Sequence, residues 1–237
     1  MSRGIGATIP RQALLRLPRY YRCVNRCRER GMGFVSSEEI AREAEVNPVQ
    51  VRKDLTQFGQ FGKPGVGYNV AELASLLEGV LGIRNLNEAV LVGAGRLGTA
   101  IADYGGFGRY GLSIVALFDI DPLKVGKKLG GREIFPRSEL SHVVRRLGIQ
   151  VGIITVPAEE AQSVADDMVA AGIRAIWNFA PVTIKVPADV VVRNEDLASG
   201  LATLFHHLAG ESGSTRRKKD EFACRRSRRL DADREIR

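Results

Sequence analysis

The sequence is poor in cysteine, in aromatic residues and in long apolar runs, and each shortage excludes a class of protein. Only three of its 237 residues are cysteines (Cys23, Cys27 and Cys224), which excludes a disulfide-stapled miniprotein and fits a reducing compartment. Aromatic residues make up 6% of the chain, yet 44% of it is hydrophobic, which excludes disorder throughout. No run of about 18 apolar residues occurs, and no apolar segment near the start predicts secretion. We therefore expect a cytoplasmic globular protein with no membrane partner.

The net charge of +8 is distributed unevenly along the chain. Residues 1–80 carry 12 basic and 8 acidic side chains, residues 81–210 carry 13 of each, and residues 211–237 carry 10 and 6. The first 30 residues hold eight arginines and a single acid, Glu29. A neutral middle between basic ends indicates a modular protein with an anionic partner at one end.

Residues 1–82 have the pattern of a winged helix-turn-helix domain. From Arg11 to Arg30, apolar residues recur at spacings of three and four, which predicts a helix with arginines along its outer side. Ser36-Ser37-Glu38-Glu39 is a capping box that begins a second helix, and Asn47-Pro48 begins a third. Two short helices joined by a tight turn are typical of DNA-binding proteins. The glycine-rich stretch 59–68 predicts a hairpin wing with a basic tip.

Basic and amide side chains of this domain are the candidates for DNA contact. The arginine stripe and the wing are expected to contact phosphates, and Gln50, Arg52 and Lys53 to contact bases, since amides suit adenine and arginine suits guanine. The alternatives are a helical cap whose arginines are merely solvated and a protein that coats DNA without sequence preference. The predicted DNA-binding residues are Arg16, Arg19, Arg22, Ser36, Ser37, Asn47, Gln50, Arg52, Lys53, Gln57 and Lys63.

From Ala89 onward, strands alternate with helices, which predicts a Rossmann-type doubly wound parallel sheet over residues 88–195. The motif Gly93-x-Gly95-x-x-Gly98 follows a buried strand and begins a helix, as in dinucleotide-binding sites. Asp119 ends the next strand, where a carboxylate accepts hydrogen bonds from the adenosine ribose and repels a 2′-phosphate. The sequence therefore predicts binding of NAD(H) in preference to NADP(H). The alternative is a glycine turn needed only for packing.

An NAD-dependent dehydrogenase is the alternative function. Hydride transfer needs an acid–base group near the nicotinamide, and neither His142 nor Lys185 lies in a recognisable catalytic motif. We therefore predict no catalytic residue. Cys23 and Cys27 have no histidine or second cysteine pair nearby, so no metal site is predicted either.

The end of the chain departs from the alternating pattern. A helix over about Asp196–Leu208 is apolar on much of its surface and is expected to dock on something other than its own sheet. We assign residues 196–210 to this element. Residues 211–237 are charged and of low complexity, and they are expected to form a disordered basic tail.

Ordered sequence motifs occur throughout both predicted domains. In the first domain they are Arg16-Leu17-Pro18-Arg19-Tyr20-Tyr21-Arg22, Val35-Ser36-Ser37-Glu38, Gln50-Val51-Arg52-Lys53-Asp54-Leu55, Phe58-Gly59-Gln60-Phe61-Gly62 and Gly65-Val66-Gly67-Tyr68. In the second they are Val92-Gly93-Ala94-Gly95-Arg96-Leu97-Gly98, Phe118-Asp119-Ile120-Asp121-Pro122, Ile154-Thr155-Val156-Pro157-Ala158 and Asn178-Phe179-Ala180-Pro181. On these motifs, the chain from about Ile9 to Leu208 resembles the Rex family of bacterial redox-sensing transcriptional repressors, and their number and order make the resemblance highly specific.

The resemblance implies a homodimer whose last helix is swapped onto the partner subunit. It implies binding to palindromic operator DNA, release by NADH as the effector, and competition by NAD+. The basic tail departs from the family's usual pattern. The cofactor-binding residues are then Gly93, Ala94, Gly95, Arg96, Leu97, Gly98, Asp119, Thr155, Val156, Pro157, Asn178 and Phe179.

We add one hypothesis about how the two domains communicate. Asp196 lies near the start of the swapped helix, Arg16 on the arginine helix, and Tyr104 at the end of the helix after the glycine loop. We expect Asp196 to exchange Arg16 for Tyr104 between the two functional states, which would couple the domains through one charge-assisted bond.

Overall fold

The computed structural model describes residues 9–59, 62–84, 87–199, 201 and 204–205. They form two compact units, and each is described by itself. The first unit contains the described residues up to Asn87 together with Gly105–Ser113, and the second contains Glu88–Tyr104 and the described residues from Ile114 onward. The predicted tail, 211–237, lies outside the described residues.

The first unit is a winged helix-turn-helix. Its order of elements begins with helix α1 and ends with helix α4, and a three-stranded antiparallel sheet has the order β1-β3-β2. The helices are α1 (Arg11–Glu29), α2 (Ser37–Ala44), α3 (Pro48–Thr56) and α4 (Val70–Leu81). The strands are β1 (Phe34–Val35), β2 (Gly62–Lys63) and β3 (Gly67–Asn69).

Local capping explains where the two short helices begin. The Ser36 hydroxyl accepts a hydrogen bond from the Glu39 N–H, and the Glu39 carboxylate accepts one from the Ser36 N–H, so the predicted capping box is confirmed. The Asn47 side chain accepts from the Val49 N–H at 2.8 Å. Each cap satisfies backbone N–H groups that the first turn of a helix leaves without a partner.

The core of the first unit is built on α1, which packs against both α2 and α4. Leu17, Tyr20 and Val24 are fully buried there. The spacing of apolar residues predicts a buried face of Leu14, Leu17, Tyr21 and Val24, and the last three are buried. Leu14 is instead 43% exposed, because Ala13 is the residue that packs into the core at this turn of the helix. The helix continues through Pro18 without ending.

The second unit is built on a seven-stranded sheet with the order β10-β9-β8-β4-β5-β7-β6. The strands are β4 (Asn87–Val92), β5 (Leu112–Asp119), β6 (Lys128–Leu129), β7 (Arg132–Pro136), β8 (Val151–Ile154), β9 (Ala175–Asn178) and β10 (Val191–Asn194). The helices are α5 (Arg96–Ala102), α6 (Leu140–Leu147) and α7 (Ala158–Ala171), with a 3-10 helix at Arg137–Glu139. A further 3-10 helix, Gly105–Tyr110, belongs to the first unit.

The strand order creates a switch point beside β4. The chain runs from β4 to β5 and β7 on one side, then crosses back to β8, β9 and β10 on the other. In open α/β sheets, ligands bind outside the carboxyl ends of the strands at such a point. The sheet is parallel as predicted except for β6, an antiparallel edge strand that sequence periodicity did not indicate.

The described part of the predicted last helix is helical at Ser199, Leu201, Leu204 and Phe205. The remaining positions of the predicted helix beyond Phe205 lie outside the described residues. In the described ranges, no helix has both the length and the apolar content to cross a membrane.

Candidate nucleotide pocket and nucleic-acid interface

A cavity of about 560 Å³ opens at the carboxyl ends of β4, β5, β8 and β9, which is the switch point of the sheet. Because the carboxyl ends of parallel strands meet at one edge, residues far apart in sequence converge there. Nine of the twelve predicted cofactor residues line the cavity. They are Gly93, Gly95, Arg96, Leu97, Asp119, Thr155, Val156, Pro157 and Phe179.

The glycine loop has two positions where only glycine fits. Gly93 has a φ of +104°, and a Cβ there would lie 2.7 Å from the carbonyl oxygen of Thr155. A Cβ on Gly98 would overlap the carbonyl oxygen of Gly93. The Thr155 hydroxyl donates to that same Gly93 oxygen at 2.8 Å, so the end of β8 pins the loop. Gly95 differs, because a Cβ there would meet nothing within 4 Å of the protein.

Asp119 is buried at the mouth of the cavity and keeps its charge. One carboxylate oxygen accepts from the Asp121 N–H at 2.9 Å, and the other accepts from Lys124 Nζ at 3.0 Å. Burial by itself would raise the pKa of Asp119, but these two hydrogen bonds, the positive charge of Lys124 and the backbone N–H of Ala94 together outweigh burial and hold the pKa below its ordinary value. The cavity therefore contains an ionised carboxylate with acceptor capacity left for a hydroxyl-bearing ligand.

Three predicted cofactor residues support the cavity without lining it. Ala94 and Gly98 are buried in the glycine loop and helix α5. Asn178 is fully buried, where its side chain accepts from the Ala180 N–H at 3.0 Å and donates to the Val182 carbonyl at 2.8 Å. These bonds fix the loop after β9, which carries Phe179 into the cavity wall.

Sequence reasoning missed several residues of the cavity. Lys124 follows Asp119 by five positions, and only the turn between them brings the two charges together. Arg137 lies with its guanidinium 3.3 Å from Glu160, and both belong to the lining. The other unpredicted lining residues are Val92, Ile120, Asp121, Val164 and Pro181.

A second cavity, of about 650 Å³, lies in the first unit between the start of α2, helix α3 and the wing. The predicted DNA-binding residues Ser36, Ser37, Arg52 and Lys63 line it. The Arg52 guanidinium donates to the Ser37 hydroxyl at 2.8 Å and lies 3.4 Å from the Glu38 carboxylate. These contacts hold the Arg52 side chain at the side of the cleft.

The other predicted DNA-binding residues divide into two groups. Lys53 on α3 and Gln57 at its C-terminal cap are exposed, and Asn47 caps the start of that helix. The arginines of α1 contact neighbouring helices instead: Arg19 donates to the Ala44 carbonyl at 3.2 Å, and Arg22 lies 3.4 Å from the Glu43 carboxylate. Arg19 and Arg22 therefore also connect helix α1 to helix α2.

Arg16 and Gln50 meet at a buried carboxylate that the sequence did not indicate. Arg16 donates through Nε and Nη2 to the two oxygens of Asp54 at 2.7 and 2.8 Å. Gln50 Nε2 donates to Oδ1 of the same side chain at 2.7 Å, and the Tyr20 hydroxyl donates to Oδ2 at 2.8 Å. Asp54 is 1% exposed.

The three residues of the proposed switch belong to different units. Arg16 lies in the first unit, where it is paired with Asp54. Tyr104 and Asp196 lie in the second, and Tyr104 is 61% exposed. The Asp196 carboxylate accepts from the N–H groups of Ala198 and Ser199 at 2.9 and 3.2 Å, which caps the turn before the last helix. That Asp196 exchanges Arg16 for Tyr104 between two functional states remains a proposal.

Two family models match successive parts of the chain. Residues 8–56 match "Putative DNA-binding protein N-terminus", and residues 85–182 match "CoA binding domain". The first range covers helices α1, α2 and α3 of the first unit, and the second covers strands β4 to β9 of the second unit's sheet.

Curated relatives match most of this chain over nearly the whole of their own length. The redox-sensing transcriptional repressor Rex of Desulforamulus reducens is 45% identical over 201 residues, which cover 85% of this chain and 96% of the relative. The redox-sensing transcriptional repressor Rex 1 of Thermotoga maritima is 44% identical over 201 residues, covering 84% and 96%. These relatives are named as repressors and not as enzymes.

Solved structures agree with the curated relatives. The crystal structure of RSP in complex with β-NAD+ and operator DNA is 36% identical, covers 90% of this chain and 98% of that chain, and has a TM-score of 0.81. The structure of RSP in complex with β-NADH is 35% identical, covers 89% and 99%, and has a TM-score of 0.79. With a winged helix-turn-helix, a nucleotide-type cavity at the sheet's switch point and these relatives, the chain belongs to the Rex family of redox-sensing transcriptional repressors.

Proposed function

We propose that this chain is a homodimeric repressor that binds palindromic operator DNA when NADH is scarce and is released by NADH, with NAD+ competing for the same cavity. The observation that carries the proposal is the cavity at the carboxyl ends of β4, β5, β8 and β9, in a chain whose other unit is a winged helix-turn-helix. A protein that acts on operator DNA in a bacterium works in the cytoplasm, which is where we place it.

The sheet order gives the dinucleotide a direction in the cavity. Asp119 ends β5 on one side of β4, so the adenosine ribose lies there with its hydroxyls donating to the carboxylate. The pyrophosphate then lies over Gly95, where no side chain blocks close approach of the backbone. The nicotinamide reaches the ends of β8 and β9, where Val156, Pro157 and Phe179 provide apolar walls that exclude water.

DNA binding uses the cleft and the exposed side of α3. In helix-turn-helix proteins, the first residues of the second helix contact base edges, and here these positions include Gln50, Arg52 and Lys53. Ser36 and Ser37 at the start of α2 and Lys63 on the wing contact phosphates on either side. Arg19 and Arg22 add phosphate contacts from α1.

Dimerisation follows from an apolar surface that one chain leaves exposed. Leu197, Leu201, Leu204 and Phe205 are 66%, 52%, 59% and 63% exposed. Four large apolar side chains on one short element indicate a surface that a partner covers. A second copy of this chain is that partner, since palindromic operators mirror the two-fold symmetry of a dimer.

Release by NADH is a matter of linkage. NADH shifts the equilibrium only if it binds the arrangement that cannot bind DNA more tightly than the arrangement that can. A coupling of about 1–3 kcal/mol lowers operator affinity roughly 5- to 150-fold. A dinucleotide bound between two subunits can rotate them, which misaligns the two half-sites. The switch among Arg16, Tyr104 and Asp196 is the proposed contact that changes.

The proposal is tested with a labelled duplex from the region upstream of the chain's own gene. The full-length protein is titrated at fixed salt, and NADH, NAD+ and NADPH are then added separately. Release at a much lower concentration of NADH than of NAD+ is the expected result. Specific DNA binding that none of the three nucleotides changes would contradict NADH sensing and indicate a repressor that responds to another ligand. DNA binding without sequence preference would favour the alternative of a protein that coats DNA.

A further inference from the structure

Asp54 is the most deeply buried carboxylate among the described residues of the first unit, and every hydrogen bond that it accepts comes from a side chain. It is 1% exposed, and it accepts from Arg16 twice, from Tyr20 and from Gln50, at 2.7–2.8 Å. Two of these partners lie on α1 and one lies on α3, one turn before Asp54 itself. Burying an ionised carboxylate costs desolvation free energy, so a replacement by apolar residues could be at least as stable, and a role beyond stability is expected for Asp54.

The carboxylate stays ionised because its partners compensate for burial. Burial alone would raise the pKa of Asp54, but the hydrogen bonds from Arg16, Tyr20 and Gln50 hold it below its ordinary value. An ionised carboxylate can only accept hydrogen bonds. The Gln50 amide therefore has one permitted orientation, with its NH₂ group toward Asp54.

This orientation determines what Gln50 offers to DNA. One N–H of the amide is used by Asp54, so the carbonyl oxygen and the second N–H of this half-buried residue are left for contacts with DNA. Adenine presents the matching pair in the major groove, an N6–H donor beside the N7 acceptor. A glutamine without a fixed partner could turn either end of its amide to the groove and would also lose side-chain entropy on binding.

We propose that Asp54 is a positioning residue for base reading: paired with Arg16 through both of its oxygens, it fixes the Gln50 amide in the orientation that reads adenine. The inference rests on the proposed binding of operator DNA. Asp54 touches no base itself. Arg16 and Gln50 donate to the same oxygen of Asp54, Oδ1. Any event that withdraws Arg16 from Asp54 therefore also changes the hydrogen bond that orients the Gln50 amide.

The test is selection of bound duplexes from a random-sequence pool by the full-length protein and by three variants. Gln50→Ala identifies the base position that Gln50 reads, because the preference there disappears. Asp54→Asn is expected to lose the preference for adenine over the other bases at that same position, a loss of roughly 5- to 150-fold. Its base preferences at the other positions of the selected sequence should be unchanged. The double variant is expected to lose no more than either single variant.

Tyr20→Phe is the matched control. It removes one hydrogen bond from Oδ2 of the same buried carboxylate and leaves the contact between Oδ1 and Gln50. If the carboxylate had only a structural role, Tyr20→Phe and Asp54→Asn would change the selected sequence in the same way. An Asp54→Asn protein that keeps the adenine preference overturns the inference. A wild-type protein that enriches no sequence would instead contradict the proposed function.

If Asp54→Asn does not fold, the mobility of the Gln50 side-chain amide in the wild-type protein tests the same inference. In the wild-type protein, the side-chain amide resonance of Gln50 can be assigned by its loss in Gln50→Ala. We expect its NH₂ group to be as ordered as the backbone, while that of the exposed Gln57 is mobile. Equal mobility of the two amides would show that Asp54 does not orient Gln50.

Discussion

The ammonium group of Lys124 lies 3.0 Å from Oδ2 of Asp119, and both residues line the cavity at the carboxyl ends of the strands. The lysine is 38% exposed in its side chain, whereas that of Asp119 is only 7% exposed. A long exposed cation can move aside more easily than the buried carboxylate, so the ribose of an incoming dinucleotide can replace it. Lys124 thereby keeps Asp119 ionised and correctly oriented before the ligand arrives.

Replacing Asp119 by Asn tests the selectivity for NADH. The amide keeps the shape but loses the charge, so we expect NADH affinity to fall by about tenfold or more, since hydrogen bonds to a charged group contribute about 1.5–3 kcal/mol. Discrimination against NADPH should shrink as well, because the repulsion of the 2′-phosphate is gone. Titration calorimetry with both nucleotides measures the two effects. Unchanged rejection of NADPH would assign the selectivity to another residue.

Two alanine substitutions separate binding of the pyrophosphate from folding of the loop. Gly95→Ala places its Cβ where no protein atom lies within 4 Å, so we expect normal thermal stability and loss of NADH binding. Gly98→Ala forces its Cβ onto the Gly93 carbonyl oxygen, so stability and binding should both fall. Thermal unfolding and NADH titration are measured on each variant. Full NADH binding by Gly95→Ala would place the pyrophosphate elsewhere.

The buried hydroxyl of Tyr20 predicts a loss of stability at high pH. Burial, together with the bond to Asp54, raises the pKa of Tyr20 to about 12, above the value of about 10 in an unfolded chain. Its contribution is therefore fully present below pH 10 and is lost as the pH rises toward 12. Urea unfolding at pH 8 and 11 should show a smaller difference between wild type and Tyr20→Phe at the higher pH. A difference independent of pH would mean that the hydroxyl does not titrate as described.

Replacing Asp196 tests the proposed switch. Asp196→Ala removes the charge and also the cap on Ala198 and Ser199, whereas Asp196→Asn removes the charge and keeps an acceptor for those N–H groups. We expect both variants to fold and to require a different NADH concentration for release from the operator, with Asp196→Asn isolating the charge. Wild-type release by Asp196→Asn would reject an exchange of Arg16 for Tyr104.

The sequence was most informative where a few neighbouring residues decide the structure. The capping box at Ser36 and the Asn47-Pro48 pair placed α2 and α3 to within one or two residues, because the partners of each cap lie within three positions. The sequence also predicts helices from Val70 to about Leu81 and from Ala158 to Ala171, and α4 and α7 have these bounds. The glycine motif and Asp119 were predicted to act together, and they line one cavity.

The sequence was least informative where distant residues meet. Asp54 lies between polar neighbours on α3, and its burial depends on Arg16 and Tyr20, which are 38 and 34 positions away. Strands β6, β7 and β10 lie toward the edges of the sheet and are two to five residues long, too short for alternation to identify them. Gly105–Ser113 packs with the first unit, although it lies within the range predicted for the Rossmann domain.

The most direct test of redox sensing is the affinity for NADH with and without saturating operator DNA. Thermodynamic linkage requires that the factor by which NADH weakens operator binding equal the factor by which the operator weakens NADH binding. We expect both factors to lie in the range of about 5- to 150-fold, and the same measurement with NAD+ should give a smaller factor. An NADH affinity that is the same with and without operator would contradict the coupling between the two units.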